Sequence, residues 1–148
     1  MIKNVAIACD HGGYELKLEV MKHLDQMGIS YTDYGCNSTD SVDYPDYGIP
    51  AAKAVAEGKH ESGILICGTG IGMSLCANKV KGIRAAVCSD SFCARMTRAH
   101  NDSNVICMGA RVVGLGVALD IVDAFLITEF EGGRHNSRIA KVMELENE

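Results

Sequence analysis

Apolar residues along this chain follow two spacings that take turns. Short runs that are apolar nearly throughout alternate with longer stretches in which apolar residues recur every third or fourth position. The runs are NVAIAC (4–9), SYTDYG (30–35), GILICG (63–68), IRAAVC (83–88) and NVICMG (104–109). Four of the five carry almost no polar residue, which predicts strands covered on both faces of a parallel sheet. Leu16, Val20, Leu24 and Met27 then form a stripe at helical spacing, which Gly28 ends. PDYGIPAAKAVAEG supplies a second helix stopping at Gly58, GMSLCANKV a third, DSFCARMTRAH a fourth and GVALDIVDAFLITEF a fifth. Asp90 stands where the fourth needs its N-cap.

Strand and helix alternate throughout, so the fold class is α/β: a three-layer αβα sandwich around a Rossmann-like, five-stranded parallel sheet. No repeat, low-complexity tract or linker breaks residues 1–148, which read as a single domain with a short polar tail from about Gly132. The fifth helix is apolar on more than one side. Either it is a core helix, or its second apolar face packs against another subunit.

Composition narrows the function classes. A formal charge of -5 lacks the basic bias of a nucleic-acid binder, so an anionic substrate would need a local basic pocket. MIKNVAIACD has no signal-peptide core, and the apolar stretch from Leu115 to Phe130 is broken by Asp120 and Asp123, too short to span a bilayer. No membrane partner is expected. The cysteines at 9, 36, 67, 76, 88, 93 and 107 are odd in number and form no C-x-x-C pair. That pattern suits reduced thiols in the cytoplasm, not a disulfide framework or a metal site.

Chemistry in a parallel sheet collects at the carboxyl ends of strands. Here the first strand ends in Cys9-Asp10-His11-Gly12-Gly13, the third in Cys67-Gly68-Thr69-Gly70-Ile71-Gly72, and the fifth in Met108-Gly109-Ala110-Arg111. The glycine loop is not a dinucleotide fingerprint: that motif needs Gly or Ala at 73, where this chain has Met73, and it normally follows the first strand. Alternating glycines at a helix start either make a tight turn or aim backbone N–H groups at an anion. Cys67 weighs towards the second reading, because a thiol facing a helix N-terminus can act as nucleophile or proton acceptor. Cys76, Cys88 and Cys107 read as buried structural thiols.

Arg134 and Arg138 lie in GGRHNSR, four apart and on one face if that segment is helical. They form either a solvated basic patch or, converging with Arg111, a fork-shaped clamp for phosphate. His135 is a weak candidate beside them, and His23 and His60 receive no role.

Four motifs together carry a specific likeness. ACDHGGYELK, ICGTGIGMSLCANKVKGIRAAVCSD, AHNDSNVICMGARVVG and EGGRHNSR stand in an order, and over a span, that resembles ribose-5-phosphate isomerase type B. Its wider family includes allose-6-phosphate isomerase and the galactose-6-phosphate isomerase subunits. The resemblance implies a metal-free, cofactor-free aldose–ketose isomerase that works through an enediolate, in the pentose phosphate pathway. It implies Cys67 as the base moving a proton between C2 and C1, with Thr69 and the amides of Gly68, Gly70, Ile71 and Gly72 holding the enediolate oxygen. His100 would open the furanose ring, aided by Asn101, and Asp10 would shuttle a proton between sugar oxygens. His11, Arg111, Arg134 and Arg138 match positions that bind substrate and its phosphate. One branch of the family lacks this cysteine and has a glutamate where this chain has Met73, so the chain resembles the cysteine branch.

His100 raises a geometric difficulty. It ends the fourth helix, and a crossover helix returns the chain to the rim opposite Asp10 and Cys67. A strand spans roughly 17–20 Å, too far for one side chain to bridge. If His100 acts at this site it comes from a neighbouring subunit, which implies a homodimer with shared sites whose dimers could pair into a tetramer; otherwise His100 only caps its helix. Rival readings keep the isomerase chemistry on a six-carbon sugar phosphate such as allose 6-phosphate, or make the chain a nucleotide-binding or thiol-redox module.

Overall fold

A computed structural model describes residues 1–148. Five strands, β1 (Asn4–Cys9), β2 (Ser30–Asp33), β3 (Ser62–Cys67), β4 (Ala85–Val87) and β5 (Val105–Gly109), form one sheet in the order β2-β1-β3-β5-β4. Every neighbouring pair is parallel. Six helices connect and follow them: α1 (Tyr14–Met27), α2 (Pro45–Ala56), α3 (Ile71–Asn78), α4 (Ser91–Asn101), α5 (Leu115–Ile127) and α6 (His135–Glu144).

Side chains alternate across the sheet and build two cores. Val5, Ile7, Ile64, Ile66, Ile106 and Met108 face α1, α4 and α5, whereas Ala6, Ala8, Leu65, Cys67 and Cys107 face α2 and α3. The three central strands are buried from end to end except at Asn4, as their unbroken apolar runs require. On α5, Ile121, Val122, Phe125 and Leu126 are buried within the chain, each contributing about 1.5–3 kcal/mol. That fits the core reading of this helix, while Leu115, Val117 and Ile127 remain exposed.

The edge strands are shorter than the sequence pattern suggests. β2 stops at Asp33, whose Oδ1 accepts the Gly35 N–H at 2.8 Å and turns the chain. β4 begins only at Ala85, because the Arg84 N–H is taken by the Asn104 side chain at 2.8 Å. Gly28 ends α1 with φ 70°, and Asp90 caps α4 by accepting the Cys93 N–H. The polar stretch from about Gly132, expected as a tail, contains α6. Ile139, Val142 and Met143 give that helix an apolar side towards Ile83, and Glu146 beyond it accepts the Gly82 N–H. No helix is long and apolar enough to cross a membrane.

One charge lies inside. Lys17 is fully buried beside the predicted stripe, donating to Asp33 Oδ1 at 2.7 Å and to the Cys36 carbonyl. A buried ammonium persists only when paired and hydrogen-bonded, and these two acceptors pin the end of β2 to α1.

Candidate active site

The chain leaves β1 for β2 on one side and returns to β3 on the other, so the switch point of the sheet, where ligands bind in such folds, lies between the carboxyl ends of β1 and β3. Asp10 and His11 flank it from β1, and the loop from Cys67 to Gly72 flanks it from β3. Register places Cys9 beside Ile66 and Cys67 beside Gly109, which brings the ends of β1, β3 and β5 to one level. Gly109 is required there because a Cβ would lie 2.6 Å from the Thr69 backbone. Gly70 combines φ 82° with a close approach, a Cβ there lying 2.9 Å from the Met108 backbone.

Cys67 Sγ accepts the Gly70 N–H at 3.1 Å. Cys36 and Cys76 do the reverse, donating to the Ser38 and Met73 carbonyls. Burial pushes the Cys9 thiol up to about 12 and the Cys88 thiol to about 11, and it raises Cys76 and Cys107 as well. These four are poor nucleophiles, in line with the structural role expected for three of them. Only Cys67 turns its sulfur lone pairs towards a glycine nest.

Thr69 is exposed on the loop, its Oγ1 accepting the Ile71 N–H at 3.2 Å. Asp10 is nearly buried, and its Oδ1 accepts from Gly12 and Gly13 at 2.9 and 3.2 Å, so it also caps the turn leading into α1. His11 Nδ1 accepts the Val42 N–H at 3.1 Å, which leaves Nε2–H as the donor of the neutral ring. Arg111 lies over Gly68, whose carbonyl accepts the Arg111 N–H at 3.0 Å.

The remaining sequence-predicted residues lie elsewhere. His100, Asn101 and Arg138 line a cleft of about 700 Å³ with Ile83, Arg84 and Ser103, at the amino ends of β4 and β5. Arg134 sits at the start of α6 beside it. Arg111, Arg134 and Arg138 therefore do not converge within one chain. The cause is that α6 packs against the carboxyl end of α4, on the rim away from Arg111.

His135, a weak sequence candidate, stacks on His100 with centroids 4.4 Å apart and planes 15° from parallel. Glu131 reaches both imidazoles, at 3.7 Å from His100 Nε2 and 3.5 Å from His135 Nε2. One ligand atom from each of the three lies within 4.8 Å of the others. Arg138 lines the same cleft, and a cation held there would face its guanidinium charge. His23 and His60 have structural partners: His23 joins Asp123 at 2.6 Å, and His60 bridges Tyr34 and Asn4.

Comparison with known proteins follows the same lines. The family model described as Ribose/Galactose Isomerase matches residues 5–142. Ribose-5-phosphate isomerase B of Escherichia coli is 48% identical over 145 residues, covering 98% of this chain and 97% of that protein. The solved Clostridium thermocellum ribose-5-phosphate isomerase B superposes with a TM-score of 0.96 at 53% identity, covering 97% of each chain. The Mycoplasma genitalium enzyme, solved with bound ribulose-5-phosphate, superposes at 0.95 with 41% identity, covering 100% of this chain and 99% of that one.

Proposed function

The chain belongs to the ribose/galactose isomerase family, and from that premise we propose that it interconverts D-ribose 5-phosphate and D-ribulose 5-phosphate through an enediolate. The observation that carries this reading is the buried sulfur of Cys67, held by the Gly70 N–H at the carboxyl end of β3.

In the furanose, O4 closes the ring on C1. Opening it takes a proton from O1 and gives one to O4, the task of His100 with Asn101 beside it. Cys67 then removes the C2 proton of the open aldehyde, and negative charge develops on O1. Backbone N–H groups of the glycine loop and the Thr69 hydroxyl stabilise that charge where water cannot reorganise. Returning the proton to C1 while Asp10 carries the O2 proton to O1 yields the ketose, with every proton accounted for. His11 Nε2–H and Arg111 on one rim, with Arg134 and Arg138 on the other, hold the phosphate. Such an enzyme serves the pentose phosphate pathway in the cytoplasm, and its free cysteines suit a reducing compartment.

The site is complete only in a homodimer, in which the His100 rim of one protomer meets the Cys67 rim of the other. Two features support this. The half-sites lie at opposite ends of the sheet, and apolar side chains are left exposed beside each: Ile71 and Leu75 next to the glycine loop, Val142 and Leu145 next to the His100 cleft. Comparing kcat/KM for ribose 5-phosphate and allose 6-phosphate tests the substrate. The pentose phosphate is expected to be favoured, and preference for the hexose phosphate would overturn the assignment while leaving the chemistry.

A further inference from the structure

We infer that Asp102, gripped by Arg84 and Arg98, is a positioning residue that sets His100 and Asn101 for ring opening; this rests on the ring-opening reading of His100 given above. Asp102 closes α4 directly after those two residues. It is the one non-glycine residue with left-handed backbone, φ 45° and ψ 43°. Aspartate tolerates that conformation because its short side chain can be bonded locally.

Here it is bonded from two sides. Arg98 Nη1 donates to Oδ1 at 2.9 Å and Arg84 Nη2 to Oδ2 at 3.3 Å. The same two guanidinium groups take the backbone carbonyls around it. Arg84 Nε donates to Asn101 O at 3.0 Å, Arg84 Nη2 to Asp102 O at 2.7 Å, and Arg98 Nη1 to Ser103 O at 2.8 Å. Three consecutive carbonyls at the end of α4 are thus held by two side chains.

Arg98 keeps this pose although its Nε is buried without a partner, and its guanidinium lies 5.7 Å from the Phe125 ring centroid on α5. The clamp is therefore anchored in the core. Free carbonyls at a helix end fray readily, and fraying here would move His100 and Asn101 directly.

The two substrates of the proposed reaction separate placement from folding. Ribose 5-phosphate closes through O4 and must be opened. Ribulose 5-phosphate cannot form a five-membered ring, because closing on C2 needs O5, which carries the phosphate. Exchange of its C1 hydrogen with solvent deuterium, followed by NMR, reports proton abstraction by Cys67 without ring opening. We expect Asp102→Asn and Arg84→Lys to lower turnover of ribose 5-phosphate about tenfold or more, the scale set by a small misplacement of a catalytic group. C1 exchange should stay within about twofold of wild type, as in His100→Ala, with circular dichroism and Tm near wild type.

Asp102→Asn tolerates the left-handed backbone, and should it fail to fold, Arg84→Lys decides alone. Unchanged turnover in the clamp variants overturns the inference and leaves the proposed function standing. So does a parallel loss of turnover and exchange in them while His100→Ala loses turnover only, since that marks a purely structural part. Loss of exchange in His100→Ala itself removes the ring-opening reading, and the clamp with it.

Discussion

Cys67 differs from the other cysteines in the direction of one hydrogen bond: its sulfur accepts where Cys36 and Cys76 donate. Replacing it with alanine should nearly abolish isomerisation in a coupled assay while leaving phosphate-ester binding, read by competition, close to wild type. Thr69→Ala should cost less, about 100-fold in kcat, because the neighbouring backbone N–H groups still stabilise the oxyanion. This sulfur was readable in the sequence, since an apolar run ending in a thiol and then alternating glycines leaves few places for it. Lys17 was not. It sits next to an apolar stripe with nothing local to mark it, and its acceptors, Asp33 and the Cys36 carbonyl, meet it only after β2 has paired with β1. Asp102 hides for a similar reason: its arginines come from β4's approach and from α4.

Between strand and helix, the turn after β3 depends on Gly70. A Cβ there would meet the Met108 backbone at 2.9 Å on a left-handed residue, so Gly70→Ala should shift the loop and misdirect the N–H that Cys67 accepts. A fall in kcat of at least about tenfold with folding preserved is expected, and unchanged kcat would show that this bond is incidental. His60 ties β1 to the end of β2 through Asn4 and Tyr34. Burial, with the charge of Lys59 adding, holds its imidazole below the ordinary value. The unfolded chain therefore binds this proton first as pH falls through about 6.5, and folding weakens there until the folded protein protonates too. Urea midpoints at about pH 7.5 and about pH 5.5 should differ more for wild type than for His60→Gln. Equal differences would remove His60 from the acid response.

The alternation of elements was plain from apolar spacing, because buried central strands and amphipathic helices differ so sharply in period. The edge strands were overdrawn by one or two residues at an end, since side chains of Asp33 and Asn104 capture the backbone there. α6 left a signal in Ile139, Val142 and Met143, spaced for one helical side but outweighed by the charges around them.

Across the whole molecule, the two rims carry the proposal of a shared site. Arg111 overlies the glycine loop, whereas Arg138 shares a cleft with His100 at the other end of the sheet. Mixing inactive Cys67→Ala and His100→Ala proteins should restore activity, because a mixed pair carries one site with both halves intact. Proven subunit exchange without recovery would overturn the shared site. Under the proposed shared site, the same separation ties catalysis to mass action. Specific activity should hold constant over ordinary working concentrations and then decline on extreme dilution, recovering with second-order kinetics when the solution is concentrated again.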